Sequence, residues 1–142
     1  MALKIESIQK ELESLVVKGE HLLLAMISDC QELPDDVKEE LKKKEITIPK
    51  FEDEYNIWYS EALAVIKQLL PDREADFVMQ YKDEKRKEVN HITYGIADYL
   101  LGLRTSIGDR VIADRPSAIA KMRIQCSIVL SAQKRFESSL LI

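Results

Sequence analysis

The chain has 142 residues, 46% of them apolar and 32% charged, with a formal net charge of −4; this suits one globular domain with its own core and excludes a disordered chain. Four Gly and four Pro are too few for an all-β fold, which turns roughly every ten residues. No apolar run approaches the ~18 residues of a membrane span. The N-terminus Met1-Ala2-Leu3-Lys4-Ile5-Glu6 turns polar before any leader-like apolar stretch. Cys30 and Cys126 have no metal spacing and form no disulfide framework. A cytoplasmic protein without membrane contact, metal or cofactor is expected.

Residues 3–30 read as one long helix. Ile5, Ile8, Leu12, Leu15, Gly19, Leu22 and Met26 recur at steps of three and four, a heptad-like stripe. Val16, Leu23 and Ile27 widen it in the second half. The narrow first half suits a coiled-coil partner, so Ile5, Ile8, Leu12 and Leu15 are the expected interaction residues. Gly19 lies on the stripe, either as a close-approach point or as a kink. Leu33-Pro34-Asp35-Asp36 is a helix start, with proline in the first turn and acids that complement the dipole. The short charged segment 37–45 follows, and Ile46-Thr47-Ile48-Pro49 is an extended linker with no strand to pair with.

Residues 50–70 carry the strongest helical signal. Phe51, Tyr55, Trp58, Ala62, Val65 and Leu69 form the seam, flanked by Tyr59, Leu63, Ile66 and Leu70; an aromatic stripe at this spacing is expected to be core. Pro71 breaks the helix, and Asp72 caps a short one with Phe77, Val78 and Tyr81. The charged run 82–88 reads as an exposed loop, residues 92–103 resume helical spacing, and 105–114 reads as a loop. Pro116 opens a last long helix with the seam Ile119, Met122, Cys126, Val129, Gln133, Phe136 and Leu140. The expected fold is all-α: one bundle of three long helices with two or three short ones. The sequence stops on Leu140-Leu141-Ile142, where termini are usually polar. The expectation is therefore the N-terminal part of a longer protein.

Charge is unevenly distributed. Residues 1–103 hold 14 Lys or Arg against 22 Asp or Glu, and residues 104–142 hold seven against three. Arg104, Arg110, Arg115 and Arg123 in the basic third are candidate anion or nucleic-acid contacts, although no aromatic residues interleave with them as a stacking platform would require. Arg86 and His91 stand five apart. HEPN-type ribonucleases pair an arginine with a histidine at that range, one stabilising phosphate charge and the other moving a proton. That family favours a small polar residue after the arginine, where this chain has Lys87. Glu88-Val89-Asn90-His91 fits half of a di-iron pattern whose second half is missing, since the other histidine, His21, follows Lys18 at that spacing. Asp72, Glu74 and Asp76 suit helix capping better than calcium binding. Both cysteines lie on apolar stripes and read as buried structural thiols.

Tyr55-Asn56-Ile57-Trp58-Tyr59-Ser60-Glu61-Ala62-Leu63, Gln68-Leu69-Leu70-Pro71-Asp72-Arg73, Lys85-Arg86-Lys87-Glu88 and Tyr94-Gly95-Ile96-Ala97-Asp98-Tyr99-Leu100 together resemble a bacterial family of uncharacterised proteins. The resemblance covers about residues 51–138. It implies a helical N-terminal half joined to a HEPN-like C-terminal half, in some members near restriction or phage-defence genes. It supplies no catalytic residues, and His91 lies outside the shared pattern. The function expected is non-catalytic helix-mediated association, with a second copy or a following domain. The alternative is a nucleic-acid-acting module using Arg86 and His91 or the basic C-terminal third.

Overall fold

The computed structural model describes residues 2–141, with side chains from Lys4 onward. Six α-helices are described: α1 (Ala2–Cys30), α2 (Asp35–Lys43), α3 (Phe51–Leu69), α4 (Glu74–Tyr81), α5 (Ile96–Leu101) and α6 (Ile119–Ser139). Two strands, β1 (Thr105–Ile107) and β2 (Arg110–Ala113), and two 3₁₀ turns, Pro71–Arg73 and Arg115–Ala118, complete the chain. Helices α1, α3 and α6 each touch the other two and hold most of the buried apolar residues.

Their directions follow from three contacts. Gly19 of α1 faces both Trp58 of α3 and Cys126 of α6. Asp29, near the end of α1, pairs with Arg115, just before α6. Tyr99 donates a hydrogen bond to Asp29 and also lies edge-on to Phe51, at the start of α3. Helix α1 is therefore antiparallel to α3 and α6. At about 1.5 Å per residue, the level of Ile5 and Ile8 corresponds to that of Glu137 to Leu140 on α6.

Gly19 marks a close approach, inside a helix that runs unbroken from Ala2 to Cys30. A β-carbon there would lie 2.8 Å from the Trp58 ring and 3.3 Å from the Cys126 Sγ. The indole thus rests on bare helix backbone and donates its N–H to the Leu15 carbonyl at 2.8 Å. Phe51 and Tyr55 stack at 4.9 Å, and Tyr59 stacks on Phe77 at 5.4 Å, so the aromatic seam of α3 joins α4 and α5 to the long helices.

One polar side chain completes that core. Gln125 of α6 is 0% exposed; it accepts from the Tyr55 hydroxyl at 2.7 Å and donates to the Phe77 carbonyl at 2.9 Å. The buried face of α6 accordingly runs through Met122, Gln125, Ile128, Val129 and Ala132. Cys126, Gln133 and Phe136, placed on the seam by spacing alone, are only half-buried, and Leu140 is exposed. A glutamine that finds both partners can occupy a core position, and hydropathy spacing does not register it.

The expectation of an all-α chain needs correction at residues 105–114. These form an antiparallel hairpin with Ser106 opposite Val111 and Ile107 opposite Arg110, and a bulge beside Thr105. Thr105, Ile107, Val111 and Ile112 are β-branched and favour extended backbone, while Gly108 turns the chain at φ +60°. So short a hairpin is weak alone; Ala113, 1% exposed, anchors it in the core. Helix α5 is also shorter than the spacing over 92–103 predicts. Gly95 is extended there and serves as the N-cap, so α5 begins at Ile96; a β-carbon on Gly95 would meet the Tyr81 carbonyl oxygen at 2.6 Å.

Helix α2 ends in a Schellman turn. Ile46 N–H donates to Leu41 O at 2.9 Å and Glu45 N–H to Lys42 O at 3.2 Å. Glu45 holds the left-handed position at φ +55°, where a β-carbon costs about 1 kcal/mol or more. Glycine there loses part of that gain through chain entropy. Glu45→Gly should therefore stabilise the protein by roughly 0.5 kcal/mol, and a urea midpoint that fails to rise would contradict the strain.

Candidate functional site

The loop between α4 and α5 gathers the polar residues that sequence pattern offered as chemistry. Its first element is an Asx-type turn: the Asn90 Oδ1 accepts from the N–H groups of Ile92 (2.9 Å) and Thr93 (3.1 Å), and Thr93 Oγ1 donates to Glu88 O at 2.7 Å. The second is Asp98 in the first turn of α5, which accepts from Gly95 N–H at 2.8 Å, as the returning arm of a capping box does. Arg86 closes the loop. It reaches both oxygens of Asp98 and donates to Thr93 O at 3.1 Å. Tyr94, buried beneath, donates to Leu103 O at 2.6 Å.

This geometry places Arg86 and His91 in different situations. The Arg86 guanidinium is engaged in a bidentate, half-buried ion pair, whereas His91 is exposed. A ribonuclease pair needs both groups directed at one phosphate, and Arg86 would have to abandon Asp98 to do so. Burial disfavours the Asp98 carboxylate, but the Arg86 hydrogen bonds, the Gly95 N–H and the Arg86 charge outweigh it and hold its pKa below the ordinary value.

A second polar cluster lies where α1 ends. Arg115 sits 4.4 Å over the Tyr99 ring, and its Nη2 is 3.7 Å from Asp29, which also accepts from the Tyr99 hydroxyl. Burial and this hydrogen bond push the Tyr99 hydroxyl well above its usual range. Burial also raises Tyr94 to about 12. Arg104 and Arg115 border one open cleft of about 330 Å³ together with Asp29, Cys30 and Asp114. Arg110 projects from the hairpin and Arg123 is exposed on α6. The basic third thus has no single uninterrupted surface: two of its arginines share a cleft with two carboxylates.

Leu12 and Leu15 require correction as interaction residues, since both are 1% exposed within the chain itself. The α6 helix lying alongside α1 supplies the cover that the narrow stripe seemed to require from outside. Ile5 and Ile8 remain half-buried, level with the end of α6. There Leu140 is 41% and Leu141 88% exposed; Ile142 lies outside the described residues.

Neither cysteine is set up as a nucleophile. Burial pushes Cys126 up to about 12, with Glu20 adding to the rise and Arg123 opposing it; burial also raises Cys30 against the pull of Arg115. Asp72, Glu74 and Asp76 each face a cation, respectively Arg135, Lys67 and Arg73. Among the described residues, no three His, Cys, Asp or Glu side chains converge as a metal site, and no helix is long and apolar enough to cross a membrane. No family model, curated protein or solved structure matches the chain.

The depressed pKa of Asp98 has a consequence for stability. Its carboxylate contributes stability that is present above the unfolded value near 4 and is lost as pH falls through the lower folded value. Asp98→Asn should cost about 1–3 kcal/mol at neutral pH by leaving Arg86 without its charged partner. The difference from wild type should shrink as pH drops below about 4. Urea melts showing a constant penalty down to about pH 2.5 would contradict the pairing.

Proposed function

We propose that this chain is a non-catalytic interaction module of a cytoplasmic bacterial protein, a bundle of three long helices that associates with a second copy of itself. The observation that carries this reading is the apolar end face where α1 begins and α6 finishes. Leu140 and Leu141 stand exposed there, level with the half-buried Ile5 and Ile8. Apolar side chains grouped at one place on a surface favour association by removal from water, and charged residues beside them, Lys4, Glu6 and Glu137, can set orientation. A following domain of the same chain would meet this face in the same way. The resemblance to a bacterial family with defence-linked members is what suggests the biological setting.

The polar groups support the same reading from the other side. Arg86, Asp98, Asp29, Tyr99 and Gln125 are all engaged with partners inside the fold, an arrangement suited to holding a scaffold rigid. The nucleic-acid alternative rests on Arg86 and His91, or on Arg104, Arg110, Arg115 and Arg123 of the basic third, and predicts a different dependence on salt.

Analytical ultracentrifugation at high micromolar concentration tests the proposal. A dimer or larger species is expected. Ile5→Glu with Leu141→Glu should dissociate it while leaving the helical circular dichroism unchanged. A strictly monomeric wild-type protein would overturn the proposal. Retention of RNA or DNA with affinity falling steeply as salt rises would favour the alternative.

A further inference from the structure

Beside the contact of Gly19 with Trp58, the surfaces of α1 and α3 leave a recess of about 170 Å³. It is smaller and more enclosed than the cleft beside Arg115. Three separate segments border it: α1, the linker before α3, and α3 itself. Leu22 and Trp58, each 2% exposed, and Pro49 form its apolar lining. A cavity of about 150 Å³ holds a benzene ring, so this recess admits an aliphatic or aromatic group of roughly six carbons.

Helix direction arranges the polar residues at its border. Because α1 runs antiparallel to α3 with Gly19 against Trp58, Lys18, one residue before that contact, and Glu61, three residues after it, fall at one end. His21 and Glu54 fall at the other end, on the side of Leu22 and Pro49. Among the described residues, none of these four makes an ion pair. The end at Lys18 and Glu61 therefore offers one positive and one negative group, and an apolar lining leads away from it.

We propose that this recess is a binding site for a free α-amino acid with an apolar side chain. The Lys18 ammonium takes the ligand's carboxylate, the Glu61 carboxylate takes its ammonium, and Leu22, Trp58 and Pro49 cover its side chain. Few polar groups around an apolar recess fix orientation in this way in small-ligand sites. A simple amine leaves Lys18 without a partner, and a simple carboxylate leaves Glu61 without one. A polar side chain would lose its water against Leu22 and Trp58 without a hydrogen bond in return. The recess lies midway along α1, away from Leu140 and Leu141, so the site stands or falls separately from self-association.

The test uses the whole chain, whose only tryptophan, Trp58, lines the site and reports on it by fluorescence. L-leucine should change the emission saturably with a Kd below about 1 mM, and should raise the melting midpoint as the site fills. Isoamylamine, which is leucine without its carboxylate, and isocaproate, which is leucine without its ammonium, should each bind at least ~10-fold more weakly. Lys18→Gln and Glu61→Gln, both at exposed positions, should weaken leucine to a similar degree and leave the helical circular dichroism unchanged. Glu54→Gln, at the other end, should change leucine affinity by less than about twofold. Failure of both emission and melting midpoint to respond to about 10 mM leucine would overturn the site. So would isoamylamine or isocaproate matching leucine, wild-type affinity in Lys18→Gln or Glu61→Gln, or a loss in Glu54→Gln as large as theirs.

Discussion

The distance between α1 and its two long neighbours is set by one missing β-carbon. Gly19 lets the Trp58 ring lie against helix backbone, with Cys126 closing the other side. The indole N–H then finds the Leu15 carbonyl, so the ring satisfies its polar atom while burying its face. Glycine inside a helix costs about 1 kcal/mol relative to alanine, and the close packing of the helix pair offsets that cost. Once α1 and α3 are registered at this point, Tyr55 can reach Gln125 and Phe51 can meet Tyr99. The position of α4 and α5 follows from those contacts.

A comparable constraint governs the polar residues. Arg86 and Asp98 join a loop to a helix start, Asp29 and Arg115 join the end of α1 to the start of α6, and Gln125 ties three helices together. An unpaired buried amide or charge costs about 1–3 kcal/mol, so Gln125 and Asp98, both buried, are held where their partners are; the Asp29–Arg115 pair is part-exposed and contributes less. Arg86, offered by sequence pattern as a phosphate-facing residue, is engaged with Asp98 and Thr93, while His91 is exposed. Leu140 and Leu141, where α6 finishes, are among the apolar side chains left exposed on an otherwise charged surface.

The long helices were legible because their apolar spacing is regular and their breaks carry proline. The aromatic stripe of α3 announced the core for the same reason. Three features were hidden. The hairpin at 105–114 is too short to show alternation, and its β-branched residues stand beside a glycine that reads as loop. Gln125 is buried because the Tyr55 hydroxyl and the Phe77 carbonyl both point at it, a coincidence of three distant segments. Leu12 and Leu15 looked like a seam for an outside partner because nothing in local sequence shows that α6 returns along α1. The Arg86–Asp98 pair was within reach: Gly95 followed three residues later by Asp98 is a helix-start pattern that needs a charge partner when it is covered.

The central claim, that Gly19 is required by the Trp58 ring and not by helix bending, is tested most directly by a double-mutant cycle. Stability is measured for wild type, Gly19→Ala, Trp58→Phe and the pair. In wild type, the added methyl should destabilise by roughly 1–3 kcal/mol through overpacking. In the Trp58→Phe background the smaller ring no longer fills the site, and the same change should be neutral or stabilising by up to about 1 kcal/mol through helix propensity. An equal penalty for Gly19→Ala in both backgrounds would contradict the account.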